Sequence, residues 1–116
     1  ENLGEYKTLE SYYGKLVLEM LRAVRLVVDT GIHYYGWSYT KTFNYMKKHS
    51  FDTESRIKTQ LERYIAIPSQ ALSYKIGEKI ILNLKKKFKG DIKAFHHEIL
   101  RYGPIPLFIL VKHFVR

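Results

Sequence analysis

The feature that most constrains the fold is a helical pattern that begins near Thr8 and is apolar around most of the helix. Two neighbouring rows of apolar residues recur at steps of three and four. They are Leu9, Tyr13, Leu16, Met20, Val24 and Val27, and beside them Tyr12, Val17, Leu21 and Val28. A helix over Thr8–Val28 therefore needs neighbours on several sides, and a bundle of 116 residues is too small to cover both rows. The sequence predicts an exposed apolar surface on this helix, or its burial against a further segment or another chain.

The rest of the chain shows shorter helical patterns separated by residues that cap or break helices. The first predicted segments are a helix end and turn over Thr30–Trp37 marked by Gly31 and Gly36, a helix from the N-cap Ser38 to Lys48, and a helix opened by the N-cap Asp52 with Ile57, Leu61, Tyr64 and Ile65 on one face. The others are a helix from Pro68 to Lys89 with the core stripe Leu72, Ile76, Ile80 and Leu84, a helix over Ile92–Arg101 after the N-cap Asp91, and a helix over Leu107–Val115. The predicted fold class is all-α with about six helices. We expect residues 1–116 to form a single helical domain or a fragment of a longer protein.

Composition excludes several classes of protein. The sequence has no Cys, which excludes disulfide scaffolds, thiolate zinc sites and cysteine nucleophiles. Its longest apolar run, Pro104–Val111, is far shorter than the roughly 18 residues of a membrane span. The composition leaves the cellular compartment open.

Positive charge is concentrated in one part of the chain. The formal net charge is +9, and residues 75–93 carry seven Lys against Glu78 and Asp91. Such a run is typical of the solvated side of a helix, and we favour this interpretation. The alternative is a small basic helical module that binds nucleic acid or an acidic protein partner.

The histidines do not have the spacing of a zinc-binding helix. His96 and His97 are adjacent and are followed by Glu98, whereas two ligands on one helix face stand four residues apart. No Gly-x-Ser-x-Gly motif or phosphate-binding glycine loop occurs. The chain alone is therefore predicted to hold no metal or other cofactor and to hydrolyse no peptide.

Two segments concentrate polar and aromatic side chains. If the first helix continues through Gly31, Asp29 and His33 are one turn apart and the carboxylate can orient the imidazole. The alternative is that His33 caps the helix and Trp37 plugs the core.

In the second segment Gln70, Tyr74 and Gly77 share one helix face. A glycine in mid-helix costs about 1 kcal/mol relative to Ala, so the spacing indicates either a site or tight helix packing at Gly77.

These motifs also carry a family resemblance. They read Asp29-Thr-Gly-Ile-His33 with Gly36-Trp-Ser38, then Arg63-Tyr64, and then Pro68-Ser-Gln-Ala-Leu-Ser-Tyr-Lys-Ile-Gly77. Together with the closing stretch Phe95–Leu107 and its Gly-x-x-Pro-Leu pattern, they resemble the C-terminal part of the family called domain of unknown function 885. The sequence departs from the family's Pro-Gly-Gln-Ala at one position, where it has Ser69.

The resemblance implies a piece of a zinc-metallopeptidase-like helical protein. Zinc is expected in the full-length family, with ligands in an upstream His-Glu-x-x-x-Gly-His-type helix and a later Glu. Neither segment lies in this chain; Glu1 aligns just after the ligand-bearing segment and is not assigned as a ligand. The implied partners are a peptide substrate and, on the first helix, the missing N-terminal portion or another chain. Nucleic acid is not expected as a partner.

The resemblance also implies roles for individual residues in the complete protein. His33 and Tyr74 are expected to stabilise the oxyanion of the transition state, in a polar cavity with Arg63 or Gln70 at its edge. Arg63, Tyr64 and Gln70 are expected to bind substrate, and Asp29 to orient His33. Gly77 would permit the close approach of a neighbouring helix.

Overall fold

The computed structural model describes residues 6–114, and the regular secondary structure in this range is entirely α-helical, as predicted. The helices are α1 (Leu9–His33), α2 (Tyr39–His49), α3 (Glu54–Ala66), α4 (Gln70–Lys87), α5 (Ile92–Leu100) and α6 (Leu107–Phe114). Val115, the predicted end of the last helix, lies outside the described residues. Among the helices of residues 6–114, none is both long and apolar enough to cross a bilayer.

Side-chain caps begin four of the helices. The hydroxyl of Thr8 accepts a hydrogen bond from the backbone N–H of Ser11 in a capping box, and Ser38 and Asp91 cap α2 and α5 as predicted. The prediction that Asp52 caps α3 is wrong by one residue. The N-cap is Thr53, whose hydroxyl accepts a hydrogen bond from the backbone N–H of Arg56. The carboxylate of Asp52 instead accepts from the side-chain amide of Gln60.

The first helix runs five residues beyond its predicted end at Val28. The helix ends at His33, within the predicted range Thr30–Trp37, but Gly31 lies inside α1 and is buried, so it does not itself mark the end. A Cβ built on Gly31 would lie 2.6 Å from two ring atoms of Trp37, which shows that the indole packs directly on the glycine backbone. The chain turns instead at Gly36, whose φ of +63° favours glycine.

The chain divides into two compact units, the first ending at Lys75 and the second beginning at Ile76. In the first unit α1, α2 and α3 pack around one apolar core. Its buried members are Val24, Val28, Met46, Ile57, Leu61, Tyr64 and Ala71. On α3 the predicted face is confirmed for three of its four residues; Ile65 is 44% exposed, because the buried row continues through Tyr64.

The second unit has its own smaller core, formed by Leu84, Phe95 and Leu110. Phe88 lies 5.6 Å from Phe95 between ring centroids. The predicted stripe on α4 is buried only at Leu84, while Ile80 packs at the edge of this core. Ile76 is 37% exposed, since no residue of the second unit covers it completely.

The outer side of α1 is apolar and exposed, as the sequence predicts. Leu9, Tyr13, Leu16 and Met20 are between 43% and 81% exposed, whereas Val24 of the same row is buried. Members of this row line a groove of about 480 Å³ together with Phe51. The described residues therefore cover only one of the two apolar rows along this part of the helix.

Gly77 lies in an open position within the second unit. The nearest atom to a Cβ built there is Cδ1 of Leu107 at 4.0 Å, an ordinary van der Waals distance. The expected close approach of a helix at Gly77 is not found in that unit. Gly77→Ala is therefore expected to raise the free energy of unfolding by up to about 1 kcal/mol in urea denaturation.

The matched control for this substitution is Gly36→Ala. A Cβ there also meets open space, but φ is +63°, so Ala is expected to lower stability by about 1 kcal/mol. A loss of stability in Gly77→Ala would mean that part of the protein outside the second unit packs closely on Gly77.

Candidate functional site

Three side chains of the first unit form a compact arrangement that we call the Arg25 cluster: Arg25, Tyr64 and Tyr74. The guanidinium carbon of Arg25 lies 4.6 Å from the ring centroid of Tyr74 and 5.5 Å from that of Tyr64. These distances are typical of cation–π contacts. Tyr64 is buried, whereas Tyr74 is 49% exposed, so one side of the cluster is open to solvent.

His33 reaches the same cluster through the main chain. Its Nε2 lies 2.9 Å from the carbonyl oxygen of Tyr64. A carbonyl oxygen only accepts hydrogen bonds, so Nε2 must carry the proton, which leaves Nδ1 as an acceptor in the neutral imidazole. The described contacts connect His33 with Tyr74 through two residues, because His33 binds the main-chain carbonyl of Tyr64, and Arg25 contacts the rings of both Tyr64 and Tyr74.

Asp29 holds the turn that precedes α4. Its side chain is buried, and its Oδ1 accepts a hydrogen bond of 3.1 Å from the backbone N–H of Ser69, 40 residues away. Its Oδ2 is buried without a hydrogen-bond partner. The prediction that Asp29 orients His33 differs from this geometry, because the observed partner of Asp29 is Ser69 and that of His33 is Tyr64. Asp29 instead fixes the start of the helix that carries Tyr74.

Ser69 occupies a backbone conformation that favours glycine. Its φ is +69°, in the left-handed region. A left-handed conformation costs a residue with a Cβ about 1–2 kcal/mol. Because glycine also loses more backbone entropy on folding, we expect Ser69→Gly to raise the free energy of unfolding by about 0.5–1 kcal/mol in thermal denaturation.

Two control substitutions separate this strain from other effects. Ser69→Ala keeps the Cβ and is expected to leave stability nearly unchanged. Ser73→Gly places the same glycine inside α4, where it is expected to destabilise by about 1 kcal/mol. If Ser69→Gly destabilised the protein as much as Ser73→Gly, the hypothesis that the left-handed conformation of Ser69 costs stability would be refuted.

The predicted substrate-binding residues lie in different surroundings. Tyr64 is 3% exposed and its hydroxyl donates to Oε1 of Gln60, so it is a core residue rather than a surface contact, and its predicted role needs correction. Burial raises the pKa of its phenol, against the opposing charges of Arg25 and Arg63. Arg63 is exposed in the last turn of α3, and Gln70 is half-buried at the start of α4. Substrate binding by these two residues, and the polar cavity beside them, stay predictions.

Sequence reasoning did not identify Arg25. Its Nε is buried without a hydrogen-bond partner, which is an unusual state for a charged side chain. A signal for it is present in the sequence, because Arg25 is a cation one residue after buried Val24 and three before buried Val28. Only the fold brings the two tyrosines to it.

The described residues do not assemble a metal site. Between residues 6 and 114, no three His, Asp or Glu side chains lie together as a potential metal-binding group. The zinc that the family resemblance implies therefore does not fit these residues, and Glu1 lies outside them.

Comparisons with known proteins place the chain in a family. The family model described as "Bacterial protein of unknown function (DUF885)" matches residues 1–114. A crystal structure described as that of a candidate lipoprotein from Colwellia psychrerythraea is 37% identical, with a TM-score of 0.85 over 90% of this chain. The match spans 19% of that protein's own length. No curated protein matches the chain. The chain belongs to the DUF885 family of bacterial proteins of unknown function.

Proposed function

We propose that this chain is the C-terminal helical part of a zinc-metallopeptidase-like protein and forms the side of a peptide-binding cleft that carries no metal ligands. The observation that carries the proposal is the arrangement around Arg25, whose guanidinium contacts the rings of Tyr74 and Tyr64 and whose Nε is unpaired, with His33 on the main-chain carbonyl of Tyr64. Polar groups that converge at a partly open position are typical of substrate sites. The share of the matching Colwellia protein that the chain spans, 19%, is consistent with a part of a larger protein.

In this proposal Tyr74 is the residue that acts on the scissile carbonyl. Its ring is half-exposed and is fixed by Arg25. A phenol donates a hydrogen bond to a carbonyl oxygen more strongly as that oxygen gains negative charge, which lowers the barrier to attack on the peptide bond.

His33 has a different role. With its Nε2–H bound to the Tyr64 carbonyl, a neutral imidazole presents Nδ1, which accepts hydrogen bonds. It therefore fits a backbone N–H of a bound peptide better than an oxyanion. Asp29 and Ser69 act as positioning residues, because their hydrogen bond sets the start of α4.

Zinc would have its ligands in the part of the protein upstream of this chain. The described residues supply no metal site, so we assign them substrate binding and transition-state stabilisation only. This division makes the chain inactive without that upstream part.

The exposed apolar row of α1 is the surface on which the upstream part would pack. Tyr13 and Met20 of this row line a mostly apolar groove with Phe51, and Leu16 of the same row is 44% exposed. Leu16→Cys is expected to react with a maleimide rapidly in the isolated chain and slowly in the full-length protein, as followed by mass spectrometry. Equal reaction rates in the two proteins would indicate that this row is also exposed in the full-length protein.

The experiment that tests the proposed function is a peptidase assay of the full-length protein. The zinc-loaded protein is incubated with a mixture of peptides and the products are identified by mass spectrometry. We expect cleavage that a chelator stops and that Ala substitution of an upstream motif histidine abolishes. An uncleaved mixture, or a gene without the upstream His-Glu-x-x-x-Gly-His segment, would refute the proposal. Binding to duplex DNA that falls steeply with salt would favour the basic binding module instead.

A further inference from the structure

The Nε of Arg25 is buried and has no hydrogen-bond partner among the described residues. The nearest acid along the helix face is Asp29, one turn later; its Oδ1 binds the Ser69 N–H, and its Oδ2 is buried without a hydrogen-bond partner, so it makes no hydrogen bond to Arg25. The contacts that the cation makes are with the rings of Tyr64 and Tyr74.

Ring contacts attract the charge but leave the N–H groups without a strong acceptor. A buried donor that loses water without gaining an acceptor is costly, and the cost is larger for a charged group. The Nε itself has no exposed surface, so an anion brought by a ligand would pair with the charge of the guanidinium through its terminal N–H groups. Arginine suits a carboxylate in particular, because two parallel N–H groups of its planar group match the two oxygens.

We infer that Arg25 binds the C-terminal carboxylate of a peptide and that the site selects substrates by this free end. This inference rests on the proposed function and deepens it, since it names the substrate class. Arg22 lies on the same helix and is exposed, whereas Arg25 is half-buried. The two arginines therefore offer a peptide different surroundings. Of these two arginines, Arg25 is the one that contacts aromatic rings among the described residues, those of Tyr64 and Tyr74.

The position of Arg25 also limits where cleavage occurs. Its guanidinium carbon is 4.6 Å from the centroid of the Tyr74 ring, whose hydroxyl we assign to the scissile carbonyl. An extended peptide advances roughly 3.3–3.6 Å per residue. A carboxylate on Arg25 therefore places the scissile bond within about one to three residues of the peptide's C-terminus.

The inference is tested by binding rather than by turnover. The full-length protein, kept free of metal with a chelator at constant ionic strength, is titrated calorimetrically with N-acetyl-Ala-Ala-Ala that has a free carboxylate. The same peptide with a C-terminal amide serves as the neutral probe. We expect the acid to bind about 10-fold or more tightly than the amide. Arg25→Gln is expected to abolish this preference and the matched control Arg22→Gln to retain it.

Each outcome decides the inference. Equal binding of the two peptides, absence of binding of both, or a preference that survives in Arg25→Gln would overturn it. If Arg25→Gln does not fold, Arg25→Lys keeps the charge without the planar fork, and an undiminished preference there would overturn it too. A carboxylate preference in a protein without peptidase activity would retain the inference and refute the proposed function. Peptidase activity without that preference would overturn the inference and retain the proposed function.

Discussion

Tyr74→Phe is expected to lower kcat of the full-length protein by about 10²–10³-fold and to change KM little. The substitution removes one hydroxyl and keeps the ring, so the contact with Arg25 and the half-exposed position of the side chain are preserved. The lost interaction is one that strengthens only as the carbonyl oxygen gains charge, which is why the effect falls on kcat. Steady-state kinetics on a single peptide found in the product screen would measure it.

The control for this substitution is Tyr34→Phe. Tyr34 follows the end of α1 and is 79% exposed, so its hydroxyl is expected to be dispensable for activity and stability. Far-UV circular dichroism and melting temperature should be the same for both variants and the parent protein. If the kcat of Tyr74→Phe remained within twofold of the parent value, the transition-state role of Tyr74 would have to be abandoned.

Most of the fold could be predicted because its signals are local. The caps Ser38 and Asp91 are polar side chains at fixed distances from the N–H groups that they bind, and the sequence displays both. The same rule failed at Asp52 because its neighbour Thr53 is equally able to cap, and only tertiary packing decides between them.

Gly31 could not be interpreted from the sequence for a different physical reason. A glycine near the end of a helical pattern usually marks a left-handed C-cap. Here the indole of Trp37 lies on the Gly31 backbone, and the left-handed turn is made by Gly36. Both glycines are equally visible in the sequence, but the contact that separates their roles appears only after the chain folds back.

The candidate site was less predictable than the fold, and the roles of His33 and Tyr74 stay predictions. The contacts that connect these two residues run through Tyr64 and Arg25, which the sequence motifs do not reveal. Asp29 has its partner 40 residues away, a distance at which spacing within one helix gives no information. Arg25 was missed for the same reason, since its partners are rings on α3 and α4.

Gly31→Ala is expected to lower the free energy of unfolding by about 1–3 kcal/mol, the range for overpacking a well-packed position. The added methyl group would lie 2.6 Å from two atoms of the Trp37 ring, so the indole or the helix must move. Trp37 also lies 5.4 Å from the ring of Tyr45, and displacement of the indole disturbs that contact. Urea denaturation monitored by circular dichroism measures the change. Gly14→Ala is the matched control on the same helix, because a Cβ there meets no atom within 4 Å.

The effect of Gly31→Ala on the free energy of unfolding should change sign when Trp37 is replaced by a smaller residue. In a Trp37→Ala background the clash is absent, and the higher helix propensity of Ala then favours Gly31→Ala by up to about 1 kcal/mol. The double-mutant cycle is therefore expected to give a coupling energy of about 1–4 kcal/mol, which is large even for residues in contact. Additive effects of the two substitutions would show that Gly31 is required for a reason other than the Trp37 ring. A coupled result would establish that the glycine of this motif serves packing, and that His33, two residues later, is positioned by a helix end that the indole holds in place.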